Sequence, residues 1–196
     1  ILFLFLLSFV DCAKKGTPSG GKRDSIPPVI IKSNPENYNI NFTGNEIRIQ
    51  FDEYIRLKDL QKELLVSPPL KYTPVITPLS ASKILKIKIL DTLKENTTYS
   101  FNFGNSIVDN EGNPFKYFKY VFSTGAYIDS LKLVGKINDA LLISPEIPTA
   151  LLLYEINDTF NDSLVFSEKP TYIEITKDST STFEISNLKE GNYLLL

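Results

Sequence analysis

The chain of 196 residues contains no histidine, no tryptophan, no methionine and a single cysteine, Cys12. Histidine is the commonest general base and metal ligand near neutral pH, so its absence excludes Ser-His-Asp and Cys-His catalysis and imidazole-based zinc sites. One cysteine forms neither an internal disulfide nor a CxxC site. An excess of charge of one sign is lacking too. Lys and Arg number 21 against 23 Asp and Glu, a net charge of −2, so no basic field draws nucleic acid. The apolar run at the start, "ILFLFLLSFV" (1–10), is interrupted only by Ser8. It is too short to span a bilayer, which takes about 20 apolar residues.

That run instead fits the apolar region of a secretory signal, assigned to residues 1–11. The sequence opens on Ile1 rather than Met, so the charged start of such a signal is expected to precede it. A buried core strand is the alternative. The stretch that follows, "CAKKGTPSGGKRDSIPPV" (12–29), is rich in Gly, Pro and Lys and argues for a flexible spacer ending in the stiff Pro27-Pro28 pair. Phe9-Val10-Asp11-Cys12 resembles a bacterial lipobox, with Asp11 where Gly, Ala or Ser is usual. The whole stretch resembles the mature start of Bacteroidota-type outer-membrane lipoproteins. That resemblance implies lipidation of Cys12, a tether over 12–26 and an outer-membrane location. Lys14, Lys15, Lys22 and Arg23 lie where they can meet anionic head groups, at about 1 kcal/mol each at best, although a soluble linker accounts for them equally. Surface-exported lipoproteins of this group tend to carry acids after the cysteine. Ala13-Lys14-Lys15-Gly16 carries none, so the body is expected on the periplasmic side.

From Val29 the chain reads as short alternating runs bounded by Asn, Asp, Gly and Pro, an all-β pattern. Ile47, Ile49 and Phe51 share one face of a strand, as do Leu85, Ile87 and Ile89, then Tyr99, Phe101 and Phe103, then Phe118, Tyr120 and Phe122. Alternation of this kind predicts one packed and one wet face. "RLKDLQKELL" (56–65) is the one helix-like stretch, short and expected to form a connecting turn of helix. Pro28, "SNPEN", "IRIQFDEYI", "LKENTTYSFNF", "IVDNEGNPF" and "YVFSTG" resemble, in order, the SbsA-type bacterial Ig-like domain over 27–125. Members of that family are mostly non-catalytic modules of surface and envelope proteins.

After a linker at 126–130, "LKLVGKI", "TALLLYEI", "PTYIEITK", "TFEISNL" and "GNYLLL" read as further strands. "LVGKIND", "ALLLYEIND" and "FEISNLKEGNYLLL" are similar to a prealbumin-like or carboxypeptidase-regulatory-like β-sandwich, here 131–196. Gly135 is expected to mark a bulge. "GNYLLL" reads as the start of a central strand, so the second sandwich is expected to be incomplete at Leu196. The fold expectation is therefore two β-sandwiches, Ig-like and then prealbumin-like, behind a lipidated tether.

Four sets of residues are singled out. "LKENTTY" and "LKEGNY" each place a tyrosine after a Leu-led turn, making Tyr99 and Tyr193 candidates for hydroxyls tied to upstream backbone; two ordinary strand aromatics are the alternative. "VDNEGNP" offers Asp109, Asn110, Glu111 and Asn113 around Gly112. It lacks the distal acid of a calcium loop and reads as a turn, so no metal site and no cofactor are expected. Asp52 and Glu53 are adjacent and point to opposite faces of a strand. Of 11 aspartates, six precede Ser or Thr, and five of those triplets resemble the O-glycosylation acceptor of Bacteroidota envelope proteins: Ser25, Thr92, Ser130, Ser163 and Ser179. Asp-Ser and Asp-Thr are also ordinary turn dipeptides. The functional expectation is a non-enzymatic, lipid-anchored structural or protein-binding module with a membrane contact and an outer-membrane protein partner. The alternatives are a carbohydrate-binding accessory protein, with sugars stacking on some of the 10 Tyr and 13 Phe, and a hydrolase using two carboxylates.

Overall fold

The structure, a computed structural model, describes residues 20–138, 149–176 and 181–196. Cys12 and Ser179 lie outside the described residues. The described chain is almost entirely antiparallel β. Its first sheet joins β1 (Ile30–Asn34), β2 (Glu46–Leu57), β5 (Ser82–Lys88) and β4 (Val75–Thr77) in that spatial order, and β7 (Ile107–Asp109) pairs with the far end of β2. A second sheet has the order β3 (Leu65–Ser67), β6 (Thr98–Asn102), β8 (Lys119–Ser123). The two pack face to face through the residues that alternation places inward. Ile47, Ile49, Phe51, Leu85 and Ile87 meet Phe101, Phe103, Tyr120 and Phe122, each fully buried. Truncating any one of these aromatics to alanine is worth about 3–5 kcal/mol, the transfer and cavity terms acting together.

Further along lie β9 (Leu131–Lys136), β10 (Ala150–Glu155), β11 (Tyr172–Ile175), β12 (Thr182–Leu188) and β13 (Tyr193–Leu195). They form a β9–β12 pair and a β11–β10–β13 sheet around a separate apolar cluster of Leu151, Leu153, Tyr172, Phe183, Ile185 and Leu188. β10 lies between two neighbours, with Leu151, Leu153 and Tyr154 buried and Leu152 half-buried. Among the described residues β13 pairs with β10 alone and takes the edge of this sheet, not the central place that its apolar sequence implied.

The connecting turn of helix expected within 56–65 is α1 (Leu60–Glu63), between the end of β2 at Leu57 and the start of β3 at Leu65. Two further expectations are corrected. Gly135 marks no bulge. It pairs in register with Phe183, whose ring lies against it, so that an added Cβ would meet the ring at 2.5 Å. The register shift falls instead at Asn187, whose φ of 63° is left-handed. The outer face of β6 is not wet. Thr98 and Ser100 are as buried as Tyr99 and Phe101.

Candidate functional site

The polar outer face of β6 is covered by the C-terminal strands. Cross-strand rows place Leu65, Asn102 and Lys119 side by side, then Ser67, Ser100 and Val121. β11 packs along β3, and β12 against β6. Glu174 of β11, 7% exposed, accepts from Asn102 Nδ2 (3.3 Å) and from Lys119 Nζ (3.4 Å), and Lys119 also reaches Ser186 Oγ (3.2 Å). Ser67 Oγ accepts from the Ile173 N–H, Lys169 Nζ donates to the Leu70 carbonyl, and Asn187 Nδ2 donates to the Asp129 carbonyl. Asp129 in turn accepts from Thr98 Oγ1 at 2.7 Å, closing the 126–130 connection onto β6. A seam of charged and hydroxylic groups thus replaces the expected solvent.

The opposite edge of the second sheet is gripped by the "SNPEN" stretch. Val121 N–H donates to Asn37 Oδ1 (2.7 Å), Asn37 Nδ2 donates to the Lys119 carbonyl, and the Tyr120 hydroxyl donates to the Pro35 carbonyl (2.8 Å). Burial raises the pKa of Tyr120, since nothing in the core stabilises a phenolate.

Glu53, Asp109 and Glu111 bring carboxylate oxygens within 4.8 Å of one another. The 53–109 juxtaposition arises because β7 pairs with β2 beyond the end of β1, a long-range contact with no local signal. Glu53 is half-buried between exposed Asp52 and Tyr54. Desolvation, then the charges of Asp109, Asp52, Asp24 and Glu111, raise its pKa. Asp109 behaves oppositely. Its burial acts to raise the pKa, but hydrogen bonds from the Asn113 side chain and from the backbone N–H groups of Asn113, Gly112 and Glu111 outweigh that and hold it low. Asn113 occupies both Asp109 oxygens, N–H on Oδ1 (2.7 Å) and Nδ2 on Oδ2 (2.6 Å). Asp109 is fully buried, so the pair closes a turn and presents no free carboxylate to a substrate. The incoming chain docks here: Arg23 donates to the Glu111 carbonyl, and Asn113 Nδ2 donates to the Asp24 carbonyl.

The Tyr99 hydroxyl accepts from the Lys94 N–H (3.0 Å), and the Tyr193 hydroxyl donates to the Lys189 carbonyl (2.8 Å). The equivalent lysines of the two "LKE" turns are therefore held, one through its N–H and one through its carbonyl. Burial raises the pKa of both tyrosines. Ser25, Thr92, Ser130 and Ser163 are all exposed. The preceding aspartates accept backbone N–H groups at two of these sites, Asp24 from Ile26 and Asp91 from Tyr72. Most aromatic side chains that would serve sugar stacking are in the cores, while Tyr38, Tyr54, Tyr72, Tyr117, Tyr127 and Phe166 are exposed.

Among known proteins, the family model described as the bacterial Ig-like domain matches residues 24–124. No curated protein matches the chain. Among solved structures, an L,D-transpeptidase from Mycobacterium smegmatis is similar at 11% identity and a TM-score of 0.34, covering 77% of each chain. The N-terminal part of the bacterial S-layer protein SbsC is similar at 11% identity and a TM-score of 0.34, over 87% of this chain and 44% of that one.

Proposed function

The chain belongs to the bacterial Ig-like domain family, and from that premise we propose a non-catalytic envelope protein, lipid-anchored at Cys12, whose body is a structural or protein-binding module beside other outer-membrane proteins. Its parts are a signal over 1–11, a tether over 12–26, the Ig-like domain over 27–125 and a second β-sandwich domain over 131–196. The body faces the periplasm, and Ser25, Thr92, Ser130, Ser163 and Ser179 are its glycan acceptors.

One observation carries the module reading. Buried polar side chains are occupied in holding the fold together, and among the described residues no buried side-chain nitrogen or oxygen lacks a hydrogen-bond partner. Asp109 closes a turn, Glu174 and Lys119 join the two β units, and Tyr120 pins the entry segment. Polar groups used in this way stiffen a body and leave its outer surface for contacts.

The test is metabolic labelling with an alkyne palmitate in a diderm bacterial host, followed by crosslinked affinity purification from membranes. Label on the wild type and none on Cys12→Ser, with a stoichiometric protein partner recovered, is the expected result. Equal labelling of both forms overturns the anchor, and recovery of the protein alone overturns the partner. Intact mass of protein from its native host equal to that of the bare lipoprotein overturns the glycans.

A further inference from the structure

The outward face of the β1–β2–β5–β4 sheet is uncovered among the described residues, and its charges are weighted toward the basic side. Arg48 and Lys86 stand directly opposite each other in register, a like-charge pair that disfavours the sheet. Lys88, two residues along β5 from Lys86, stands opposite Glu46, and Lys32 of β1 is opposite Gln50. Lys83 holds its ammonium 5.6 Å from the centre of the Tyr54 ring at the far end of the face. The acids on this side are Glu46, already bonded to Arg48, and Asp52, which accepts the Val29 N–H. The Arg48 bond lowers the pKa of Glu46 first, and the charges of Arg48, Lys86 and Lys88 add to it. Five cations therefore face two acids, Arg48 being held by Glu46 and Lys83 donating to the Asp52 carbonyl, which leaves the face with an excess of positive charge. Ile84, Val75 and Tyr54 lie exposed among them, apolar and amphipathic groups of the kind that settle at a membrane interface.

We propose that this sheet face is a docking surface for an anionic phospholipid bilayer. The charge complementarity is direct, and a broad sheet face suits a broad surface. The proposal deepens the lipid-anchored reading, in which the bilayer lies within tether reach. From Cys12 to Arg23, where the chain docks at the Glu111 carbonyl, 11 residues extend at most about 35–40 Å. An anchor of that length lets the body lie down on its basic face.

The experiment uses the full chain carrying Cys12→Ser, so its outcome does not depend on acylation. Co-sedimentation is measured with vesicles of phosphatidylcholine alone and with 30% phosphatidylglycerol. The expected result is stronger binding to the anionic vesicles, lost in about 0.5 M salt, with a drop of about tenfold or more in the K86E/K88E variant, whose β circular dichroism signal stays that of the folded chain. The apolar start of the chain adds the same binding to both lipids and both variants, so it cancels. Equal binding by wild type and K86E/K88E overturns the proposal and points to the cations of the tether. Retention on dextran sulfate without preference for anionic vesicles also overturns it, in favour of an anionic polysaccharide. A wild-type chain that takes up no palmitate label, with vesicle binding retained by the Cys12→Ser chain, would overturn the anchor and leave this surface standing.

Discussion

Lys119 Nζ lies 3.4 Å from Glu174 Oε2, joining β8 to β11 across 55 residues of sequence. The side chains are 24% and 9% exposed, so water screens the pair much less than a surface ion pair. Removing one partner of such a pair leaves the other desolvated. Glu174→Ala is expected to weaken docking of the C-terminal strands by about 2–3 kcal/mol, whereas the double change Lys119→Met with Glu174→Met recovers most of that loss. Ser100, buried beneath the C-terminal strands, supplies the measurement. In a Ser100→Cys, Cys12→Ser background the thiol should label slowly, and Glu174→Ala should speed labelling at least tenfold. Fast labelling in the parent would contradict the docked arrangement.

Gly135 and Phe183 make a second prediction. The ring lies over the glycine, leaving no room for a side chain between β9 and β12. Gly135→Val, on a strand where valine is otherwise favoured, is expected to destabilise by about 1–3 kcal/mol through overpacking. Combining it with Phe183→Leu should recover part of the loss in a urea melt. A stabilising Gly135→Val would show that the ring moves aside freely.

The longer strands were legible because side chains alternate. Ile47, Ile49 and Phe51 announce their inward face without any tertiary information, and so do Leu85 and Ile87. β3, β4 and β7 are three residues each, too short for alternation to register, and prolines flank or adjoin the first two. The candidate site was less legible for a different reason. Ser100 and Asn102 have the composition of a wet face, and only the arrival of Ile173 and Glu174, some 70 residues later, makes them a seam. In "TYIEIT" the two isoleucines look like the inward residues, yet Tyr172 and Glu174 are buried and Ile173 and Ile175 are half exposed. Glu174 turns inward because Asn102 and Lys119 are there to meet it. Likewise Glu53 and Asp109 are strangers in sequence, joined only by the pairing of β7 with β2.

The two acids of that pairing titrate in opposite directions, which separates their contributions. Asp109 is held below its ordinary pKa of 3.8, so its contribution is present above that pH and is lost as pH falls through the folded-state value. Glu53 is raised above 4.5, so folding favours its protonated form below that pH, and the advantage disappears as pH rises through the folded value. At pH 7 the charged Glu53 is a liability. Glu53→Gln is therefore expected to raise the free energy of unfolding from urea melts at pH 7 by about 0.5 kcal/mol for this partly exposed group. Asp109→Ala should cost about 1–3 kcal/mol at pH 7 by stripping the Asn113 donors of their partner, with the deficit shrinking toward pH 3. A Glu53→Gln variant less stable than wild type at pH 7 would refute the assignment.

At the alkaline end, four tyrosines act together. Burial raises the pKa of Tyr99, Tyr120, Tyr172 and Tyr193 above the ordinary 10, Tyr120 from a position with no exposed surface. Below pH 10 a tyrosine is protonated in both folded and unfolded chains, and the stability from its buried hydroxyl is fully present. Above pH 10 the unfolded chain releases protons that the folded chain keeps. Stability should then fall by about 1.4 kcal/mol per pH unit for each phenol still held protonated. Tyrosinate absorbance at 295 nm should rise in step with loss of the β circular dichroism signal, not ahead of it. Tyr120→Phe gives up the bonds to the Pro35 and Glu36 carbonyls and is expected to cost about 1 kcal/mol at pH 7. It also removes one titrating group, so its stability should decline less steeply above pH 10 and the two curves should converge. Parallel curves would mean that the Tyr120 hydroxyl ionises as readily in the folded chain as in the unfolded one, and that its place in the core is not what raises its pKa.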